Sequence, residues 1–546
     1  MKKIILIILL PFFTIVSTWA CTNLLVGKAA SVDGSNMVTY SADSYALYGE
    51  LYHWPAAKYP PNTCLDVREW DTNKYLGKIP QASQTYNVIG NMNEHQLCIG
   101  ETTFGGRHGL DDSTAIMDYG SLIYLALQRS KTAREAIKVM TDLVETYGYA
   151  SEGESFSIVD KNEVWIMEMI GKGVGNKGAV WVAVRIPDDC IAAHANQSRI
   201  HQFPLNDKEN CLYSKDVISF ARSNGFFTGK DNEFSFSKAY NPPEWGGLRY
   251  CEARVWSFFN QYTDHAQQWL PYILGENPEP MPLYVKPNRK LSVKDLMTSM
   301  RDHYEGTPFD PTSDIGAGPF RSPYRFNPLA WEVDSVKYGF ERPTSTQQTG
   351  FTFVGQMRNY LPDEVGGVFW FGVDDARFTV YTPMYPCMTE TPLCYRVGNG
   401  DFTHFSWTSA FWIHNWVANM AYARYNQMLP DAEVLQSQLE NSYLTAQSQI
   451  EQKAKDLLQI DKKQAVTYLT DYSIQVAQEA FDKWKSFGEY LIVKYMDGVV
   501  KKEADGKFIQ NEYGGSQYPN RPKMDENYLR AIANEKGNWL KVKTIQ

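Results

Sequence analysis

The sequence predicts an α+β fold in which strands pair in hairpins, helices stand in separate blocks, and a helical portion follows at the C-terminal end. Three observations support this. Short apolar or alternating runs bounded by turn residues occur early and late in the first 400 residues, amphipathic segments lie between them, and a polar helical pattern starts near residue 430. The 546 residues, 43% of them hydrophobic, can bury a large core, and this length permits two to four domains.

The first hairpin is predicted around Asp33-Gly34, a turn dipeptide flanked by the strand-like runs TNLLVG and SNMVTYSAD. Two consecutive helices follow, in IMDYGSLIYLALQRS and TAREAIKVMTDLVETYG. The second begins with a capping box, formed by Thr132 and Glu135, and ends at Gly148.

A second hairpin joins SFSIVD to EVWIMEMI across Lys161-Asn162, and AVWVAVRI forms a third apolar strand. The glycine-rich GKGVGNKG between these strands lacks the Ser/Thr and the following helix of a phosphate loop, so it is interpreted as a plain connection. The later strands and the longest helix are predicted in GFTFVGQM, GGVFWFGV, RFTVYTPM and DAEVLQSQLENSYLTAQSQIEQKAKDLL.

The chain begins like a secretion signal. Met1 to Lys3 is basic, Ile4 to Val16 is almost wholly apolar, and Thr18-Trp19-Ala20 has small residues at the positions that a signal peptidase reads. The apolar stretch is too short for a membrane span, and no later segment has eighteen uninterrupted apolar residues. We therefore expect an exported protein, periplasmic or extracellular, with cleavage after Ala20.

Composition and missing motifs narrow the function. A net charge of −9 argues against nucleic acid or an anionic membrane as the main partner, which leaves small molecules or peptides. The eight cysteines are scattered without zinc or redox spacing, and Cys387 with Cys394 is the most plausible local disulfide. H-E-x-x-H, G-x-S-x-G and the phosphate-loop motif are absent, and no metal or organic cofactor is expected. His194 is either a general base or a hydrogen-bonded structural residue.

Three interpretations of Cys21 stay open from the local residues: a nucleophile, a lipid-bearing residue or an incidental cysteine. Cleavage after Ala20 would give Cys21 a thiol and a free α-amine, whose pKa near 8 lets it accept the thiol proton at neutral pH. Lipidation would consume the sulfur, but Thr18 and Trp19 fit a lipobox poorly.

CTNLLVGKAASVDGSNMVTYSADS resembles the opening of the C69 dipeptidases, a secernin-related branch of the N-terminal nucleophile (Ntn) hydrolases. The stretch contains the pattern C-T-x-x-x-x-G-x-x-A-S-x-D-G-S and ends in Asp43-Ser44. The likeness continues in family order and covers most of residues 21 to about 425, through NMNEHQLCIGETT, SFSIVDKNEVWIMEMIG, WVAVRIPDDCIAAHANQSRI and LPDEVGGVFWFGVDDARFTVYTPMY.

The resemblance implies a four-layer αββα sandwich and cysteine peptidase activity on dipeptides or short peptides. It implies that Cys21 is the nucleophile, that Asp43 hydrogen-bonds near the nucleophile and its amine, and that Asn93 and Asn196 are polar groups around the oxyanion. Arg254 is the candidate for an expected arginine.

The domains implied are a signal peptide over 1–20, a catalytic domain over 21–425 and a mainly helical extension over 426–546. The extension either covers the cleft or forms a subunit contact, which leaves a homo-oligomer open.

Tyr40 stands where related Ntn amidases often have an arginine, so another basic residue is expected to support Asp43. Side-chain alternation gives a second expectation. A two-residue turn at Asp33-Gly34 would pair position 24 with 43 and put Asp43 and Cys21 on opposite faces. A three-residue loop, pairing 23 with 43, would put them on one face, and we predict that loop or an equivalent bulge.

Two alternatives to a dipeptidase are kept: an Ntn amidase or acylase acting on non-peptide amides, and a lipid-anchored peptide-binding protein without turnover. A comparison of activity on dipeptides with activity on N-acyl amides distinguishes the amidase from the dipeptidase. The chemical state of the mature Cys21, unmodified or lipidated, distinguishes the binding protein from the dipeptidase.

Overall fold

The computed structural model describes residues 21–326 and 329–543, so the predicted signal peptide lies outside the described residues. The described chain has the mixed α+β character that the sequence predicts, with antiparallel sheets. In chain order the strands are β1 (Asn23–Val26), β2 (Asn36–Asp43), β3 (His53–Trp54), β4 (Ala57–Lys58), β5 (Cys64–Arg68), β6 (Tyr75–Pro80), β7 (Gln84–Thr85), β8 (Val88–Ile89), β9 (Met92–Asn93), β10 (Cys98–Gly105), β11 (Gly153–Val159), β12 (Val164–Gly171), β13 (Ala179–Ile186), β14 (Ile191–His194), β15 (Cys211–Tyr213), β16 (Tyr284–Val285), β17 (Ala330–Val333), β18 (Val336–Gly339), β19 (Thr349–Met357), β20 (Gly367–Val373), β21 (Thr382–Met384), β22 (Glu503–Ala504) and β23 (Lys507–Phe508).

The α-helices fall into an early pair, a middle group of short helices and a late group that contains two long ones. In chain order they are α1 (Tyr119–Arg129), α2 (Ala133–Tyr147), α3 (Val217–Ser223), α4 (Phe236–Tyr240), α5 (Ala253–Tyr262), α6 (Leu270–Ile273), α7 (Val293–Met300), α8 (Asp363–Gly366), α9 (Ala410–Ala423), α10 (Tyr425–Leu458), α11 (Lys462–Tyr495) and α12 (Glu526–Lys536). Across 21–326 and 329–543, no helix has both the length and the apolar character needed to cross a membrane.

Two large sheets form the centre of the molecule. The first sheet has seven strands in the order β16-β14-β1-β2-β19-β20-β21, and the second has eight in the order β15-β13-β12-β11-β10-β9-β8-β3. The sheets meet through β1 and β2 on one side and β10 and β11 on the other. Helices α1 and α2 pack on strands of the second sheet, whereas α7, α9, α10 and α11 pack on strands of the first. The central strands are consequently covered on both faces and read as apolar runs.

The β1–β2 pairing differs from the predicted register. Leu25 pairs with Val38 and Thr22 bridges to Ser41, so position 21 lies opposite 42 and the connection runs over residues 27–35. The prediction of a three-residue loop pairing 23 with 43 was therefore wrong. The irregularity nearest Asp43 is instead a bulge in the neighbouring β19, between Thr349 and Phe351.

Other local predictions are confirmed. The hairpin across residues 161–162 joins β11 to β12, and the glycine-rich stretch connects β12 to β13. Helix α2 starts after Thr132, whose hydroxyl accepts from the Glu135 N–H, and ends at Gly148 with φ of 79°. The second half of the predicted capping box differs, because the Glu135 carboxylate accepts from the Lys131 N–H at 2.7 Å. The last predicted strand is shorter than expected, because only 382–384 pair with β20.

The expected disulfide is not formed. Cys387 and Cys394 are both free thiols, because each turns to a different backbone carbonyl: Glu364 accepts from Cys387 at 3.3 Å and Ala477 accepts from Cys394 at 3.9 Å.

The two long C-terminal helices dock on the first sheet through buried ion pairs as well as apolar contacts. Glu440 of α10 pairs with Arg301 and Lys294, and Glu451 of the same helix pairs with Arg358 after β19. Both glutamates are buried. The boundary proposed at residues 425 and 426 stays a prediction.

The two sheets lie close together at Gly100 of β10. A Cβ atom there would lie 2.3 Å from Asn23 Oδ1 and 3.3 Å from Tyr40 Cβ, both on the first sheet. The Asn23 amide is held in place because it donates to the Glu101 carbonyl at 2.7 Å. Only a glycine fits without displacing the Asn23 side chain.

Candidate active site

Cys21 lies immediately before β1, a central strand of the first sheet, and its thiol faces the second sheet. Its Sγ is 3.5 Å from Glu101 Oε1 and 3.7 Å from the Tyr40 hydroxyl. The observed register explains the first-sheet neighbour, since position 21 lies opposite 42 and therefore shares a face with Tyr40. The residue is 6% exposed.

The surroundings of Cys21 favour the neutral thiol. Burial raises its pKa well above the ordinary value, and the negative charges of Glu101 and Asp43 raise it further. Hydrogen bonding with the Asp43 backbone and with the Tyr40 side chain opposes this shift. The resting sulfur is thus protonated, and nucleophilic attack requires a base at the moment of reaction.

Arg254 holds the main chain at Cys21. The arginine projects from α5, and its Nη1 donates to the Cys21 carbonyl and to Thr22 Oγ1, both at 2.7 Å. Its Nη2 donates to the Ala195 carbonyl at 3.0 Å and to Asn196 Oδ1 at 2.9 Å. Burial lowers the pKa of Arg254 to about 10, so it remains charged at neutral pH.

Asn196 completes this side of the site from the end of β14. Its backbone is left-handed, with φ of 62°, a conformation that asparagine tolerates better than most residues. Its Nδ2 donates to the Thr103 carbonyl at 2.7 Å, which ties the first sheet to the second.

Asp43 ends β2 with a buried carboxylate that is paired with a cation. Arg342 donates to it at 2.9 Å, Thr349 at 2.7 Å and Ser41 at 3.2 Å. Burial raises the pKa of Asp43 to about 6 even though Arg342 lowers it. Arg342 is the basic residue that supports Asp43 where Tyr40 replaces the arginine of related proteins.

Two further carboxyl groups, those of Glu101 and Glu154, lie on the second sheet near the Cys21 thiol. We call these two residues the acidic pair. Tyr40 donates a short hydrogen bond to Glu101 Oε1, and Thr103 donates to Glu154 at 2.6 Å. Burial raises the pKa of Glu101, opposed by hydrogen bonds from Tyr40, Glu154 and Cys21, and burial raises the pKa of Glu154 well above its usual range, followed by the charge of Glu101. The upward shift is the larger for Glu154, so of the two carboxyls Glu154 keeps a proton more readily.

Two sequence candidates lie apart from this group. Asn93 donates to the carbonyls of Leu127 and Ser130 at 2.7 and 2.8 Å and accepts from the N–H groups of His95 and Leu97. These four bonds fasten the β9 turn to the end of α1. They give no contact to Cys21, and the catalytic role of Asn93 stays a prediction without support from them.

His194 is the structural histidine of the two alternatives. Its ring nitrogens lie 2.8 Å from the Thr102 hydroxyl and 2.7 Å from the Ser157 hydroxyl. Burial, followed by the charge of Arg199, lowers the pKa of the ring to about 3, so it stays neutral.

Sequence reasoning missed Glu101 and Arg342. Glu101 left one signal, since it is a lone charge within CIGETTF, a run that otherwise reads as a buried strand. Arg342 left none, because it lies 299 residues from Asp43.

In the described chain, no group of three or more His, Cys, Asp or Glu side chains is arranged to hold a metal ion.

Comparison with known proteins gives a consistent result. The model of peptidase family C69 matches residues 20–438. A probable dipeptidase of Latilactobacillus sakei is 29% identical over 429 residues, which are 74% of this chain and 82% of that protein. A probable dipeptidase of Salmonella dublin is 27% identical, over 68% of this chain and 81% of that protein. Probable dipeptidase B of Streptococcus pyogenes serotype M1 is 23% identical and spans 90% of this chain and 97% of its own length.

Proposed function

The chain belongs to peptidase family C69, and we propose that it is an exported dipeptidase whose nucleophile is the thiol of Cys21. One observation carries this proposal. Cys21 is buried at the start of a central strand, with its carbonyl held by Arg254 and its sulfur 3.5 Å from an ionisable side chain, in a chain whose family match begins one residue earlier. The names of the related proteins supply the substrate class.

The proposal includes removal of residues 1–20 by signal peptidase, which makes Cys21 the first residue of a periplasmic or extracellular protein. It also includes the four-layer αββα sandwich of the Ntn hydrolases. Two facing antiparallel sheets, with helices packed on strands of each, support that architecture.

In the proposed mechanism the free α-amine of Cys21 is the base. An α-amine with a pKa near 8 is partly unprotonated at neutral pH and can accept the proton of a thiol whose own pKa is raised. The sulfur then bonds to the peptide carbonyl carbon, and the carbonyl oxygen becomes an oxyanion. The C–N bond breaks as the leaving amine takes the proton, which leaves a thioester.

In the second half-reaction the amine of Cys21 takes a proton from water, and the hydroxide formed attacks the thioester carbonyl. The carboxylic acid leaves and the thiol regains its proton. Asn196 and backbone N–H groups are the proposed donors to the oxyanion, each worth about 3 kcal/mol. Asp43 and Arg254 are positioning residues, since one reaches the thiol through its backbone hydrogen bond and the other holds the Cys21 carbonyl.

The decisive experiment combines mass measurement with substitution. The purified mature protein should begin at an unmodified Cys21, and Cys21→Ala should lose at least about 10⁴-fold in dipeptide hydrolysis because the nucleophile is gone. Cys21→Ser should retain little, and Cys64→Ala, at an exposed cysteine, should retain full activity.

Folded Cys21→Ala protein with near wild-type hydrolysis would refute the mechanism. A diacylglyceryl group on Cys21 would favour the lipid-anchored binding protein, and hydrolysis of N-acyl amides without hydrolysis of dipeptides would favour the amidase.

A further inference from the structure

The acidic pair lies beside the nucleophile without a cation. Glu101 and Glu154 are 1% and 0% exposed, and among residues 21–326 and 329–543 neither forms an ion pair with a lysine, arginine or histidine. Their Oε2 atoms are buried and receive no hydrogen bond from any other described donor group. A proton on Glu154 would join the two carboxyls, which leaves the single negative charge of Glu101 uncompensated.

An uncompensated buried carboxylate is costly, so a folded protein normally neutralises it with a proton or pairs it with a cation. The hydrogen bonds that Glu101 receives favour its charged form: Tyr40 donates to it, and the Cys21 thiol lies within donor distance. When Glu101 is ionised, its negative charge lies next to the sulfur and disfavours the thiolate. A positively charged group from outside the described chain would relieve both effects.

A dipeptide carries such a group at a matching distance. Its α-nitrogen is two bonds from the scissile carbonyl carbon, which is about 2.5 Å with standard bond lengths and angles. The attacking sulfur approaches that carbon to about 3–3.5 Å. The α-ammonium group consequently lies within a few ångströms of Sγ, the same range as the 3.5 Å between Sγ and Glu101 Oε1.

We propose that Glu101 binds the α-ammonium group of the substrate's first residue and so restricts the enzyme to peptides with a free N-terminus. This inference rests on the proposed dipeptidase function and names its specificity-determining residue. Tyr40 holds the Glu101 carboxylate in place, and Glu154 holds the shared proton. A site that keeps a buried charge for one substrate group rejects analogues without that group far more strongly than an apolar pocket does.

The same carboxylate could act on the nucleophile itself, either by binding the α-amine of mature Cys21 or by taking the thiol proton. Those roles affect every substrate equally, because both belong to the enzyme. Binding of the substrate ammonium affects only substrates that have one. The two classes of role are therefore separated by a pair of substrates that differ at a single nitrogen.

The experiment uses the mature protein with alanyl-alanine and with propionyl-alanine, which lacks only the α-amine. The wild type should favour the dipeptide by at least about 100-fold in kcat/KM. Glu101→Gln, which keeps size and shape, should lower the ratio of kcat/KM for the dipeptide to kcat/KM for the propionyl substrate by about 30- to 100-fold, because the loss of the charge beside the thiol acts on both substrates alike and cancels in this ratio. An equal loss on both substrates, or a wild type without preference, would overturn the inference.

Glu168→Gln is the matched control. Glu168 is also fully buried on the second sheet, but its carboxylate accepts from Ser198 and from the N–H groups of Arg199 and Ile200, and no contact joins it to Cys21. The ratio between the two substrates should stay at the wild-type value in this variant. A ratio that falls as far as in Glu101→Gln would contradict a specific role for Glu101.

Binding without turnover separates this inference from the proposed function. Calorimetry with Cys21→Ala should give a Kd for alanyl-alanine that rises at least tenfold when Glu101→Gln is added, and weak binding of propionyl-alanine to both proteins. This result together with an inactive wild type would refute the dipeptidase and keep the ammonium site. Hydrolysis of dipeptides with equal binding to both variants would refute the site and keep the dipeptidase.

Discussion

Buried glutamates occur in two regions of this molecule with opposite electrostatic surroundings. Where α10 docks on the first sheet, Glu440 has two cations, because Lys294 Nζ lies 2.8 Å from Oε2 and Arg301 Nη1 lies 3.2 Å from it. Burial raises the pKa of Glu440, but Arg301 and Lys294 bring it below the usual value. Beside Cys21, Glu101 has hydroxyl, thiol and carboxyl neighbours, and its pKa is raised.

This difference separates charges that hold the fold together from a charge that is free to serve function. At the helix interface each carboxylate is neutralised within the chain, so its removal leaves an arginine buried alone. Beside Cys21 the Glu101 carboxylate has no cation among the described residues, so its removal leaves no buried charge alone and changes the charge next to the thiol.

The strongest test of the comparison is Glu440→Gln. The change leaves Arg301 buried without its carboxylate, and we expect the free energy of unfolding to fall by about 3–5 kcal/mol. Denaturant unfolding measures it. The double variant Arg301→Met/Glu440→Leu should recover most of the loss, because neither charge then remains buried. A loss below about 1 kcal/mol in the single variant would remove the contrast between the two regions.

A pH-dependent test uses Asp374, which is buried after β20. Burial raises its pKa to about 8, and no ion pair involving it occurs in the described residues. Because its folded pKa exceeds the unfolded value of 3.8, its contribution to stability is full below pH 4 and is lost as the pH rises to about 8.

Asp374→Asn has no such loss, and asparagine tolerates the left-handed backbone at this position, where φ is 64°. The variant should therefore gain about 1–3 kcal/mol over the wild type between pH 4 and pH 8. Urea unfolding at both pH values checks this, and a constant difference between the proteins would contradict it.

The third test concerns Asp43, the carboxylate of the candidate site that is paired with a cation. If hydrolysis requires ionised Asp43, kcat/KM should fall as the pH falls below about 6. Arg342→Gln removes the cation that lowers this pKa, so the acid limb should move to higher pH and activity at pH 6.5 should drop about tenfold, or about 1.4 kcal/mol. The same limb in both proteins would mean that Asp43 does not control it.

The smallest expected effect is that of Glu101→Gln on stability without substrate. Because the variant removes a buried charge that has no cation, its free energy of unfolding should stay within about 1 kcal/mol of the wild type or rise. Denaturant unfolding beside Glu440→Gln makes the comparison direct. A loss of about 3 kcal/mol would mean that Glu101 is a structural charge after all.

Local patterns predicted much of the fold. The turn across residues 161–162 and the helix from Thr132 to Gly148 depend on neighbours in the chain, which a sequence displays. The β1–β2 register does not depend on neighbouring residues in this way. Its connection is held by distant carbonyls, with Asp188 accepting from Ala29 and Leu291 from Val32, and no local periodicity encodes those contacts.

The site divides in the same way. Cys21, Asp43 and Asn196 were named from motifs that resemble the family, and Arg254 was named as the candidate for an expected arginine. Arg254 hydrogen-bonds both the Cys21 carbonyl and Asn196 Oδ1, and the catalytic roles stay predictions. Sequence reasoning missed Glu101 because it lies 80 residues after Cys21, on a strand of the second sheet. Only the packing of the two sheets brings these residues together.

Gly100 makes the gap between the thiol and the carboxylate adjustable by a single methyl group. A side chain at this point would displace the Asn23 amide, which donates to the Glu101 carbonyl, and so would disturb the support of the 3.5 Å contact between Cys21 and Glu101 with no change in either residue. Selectivity for the end of a peptide could then drift in descendants of this enzyme through a spacer position that touches neither substrate nor sulfur.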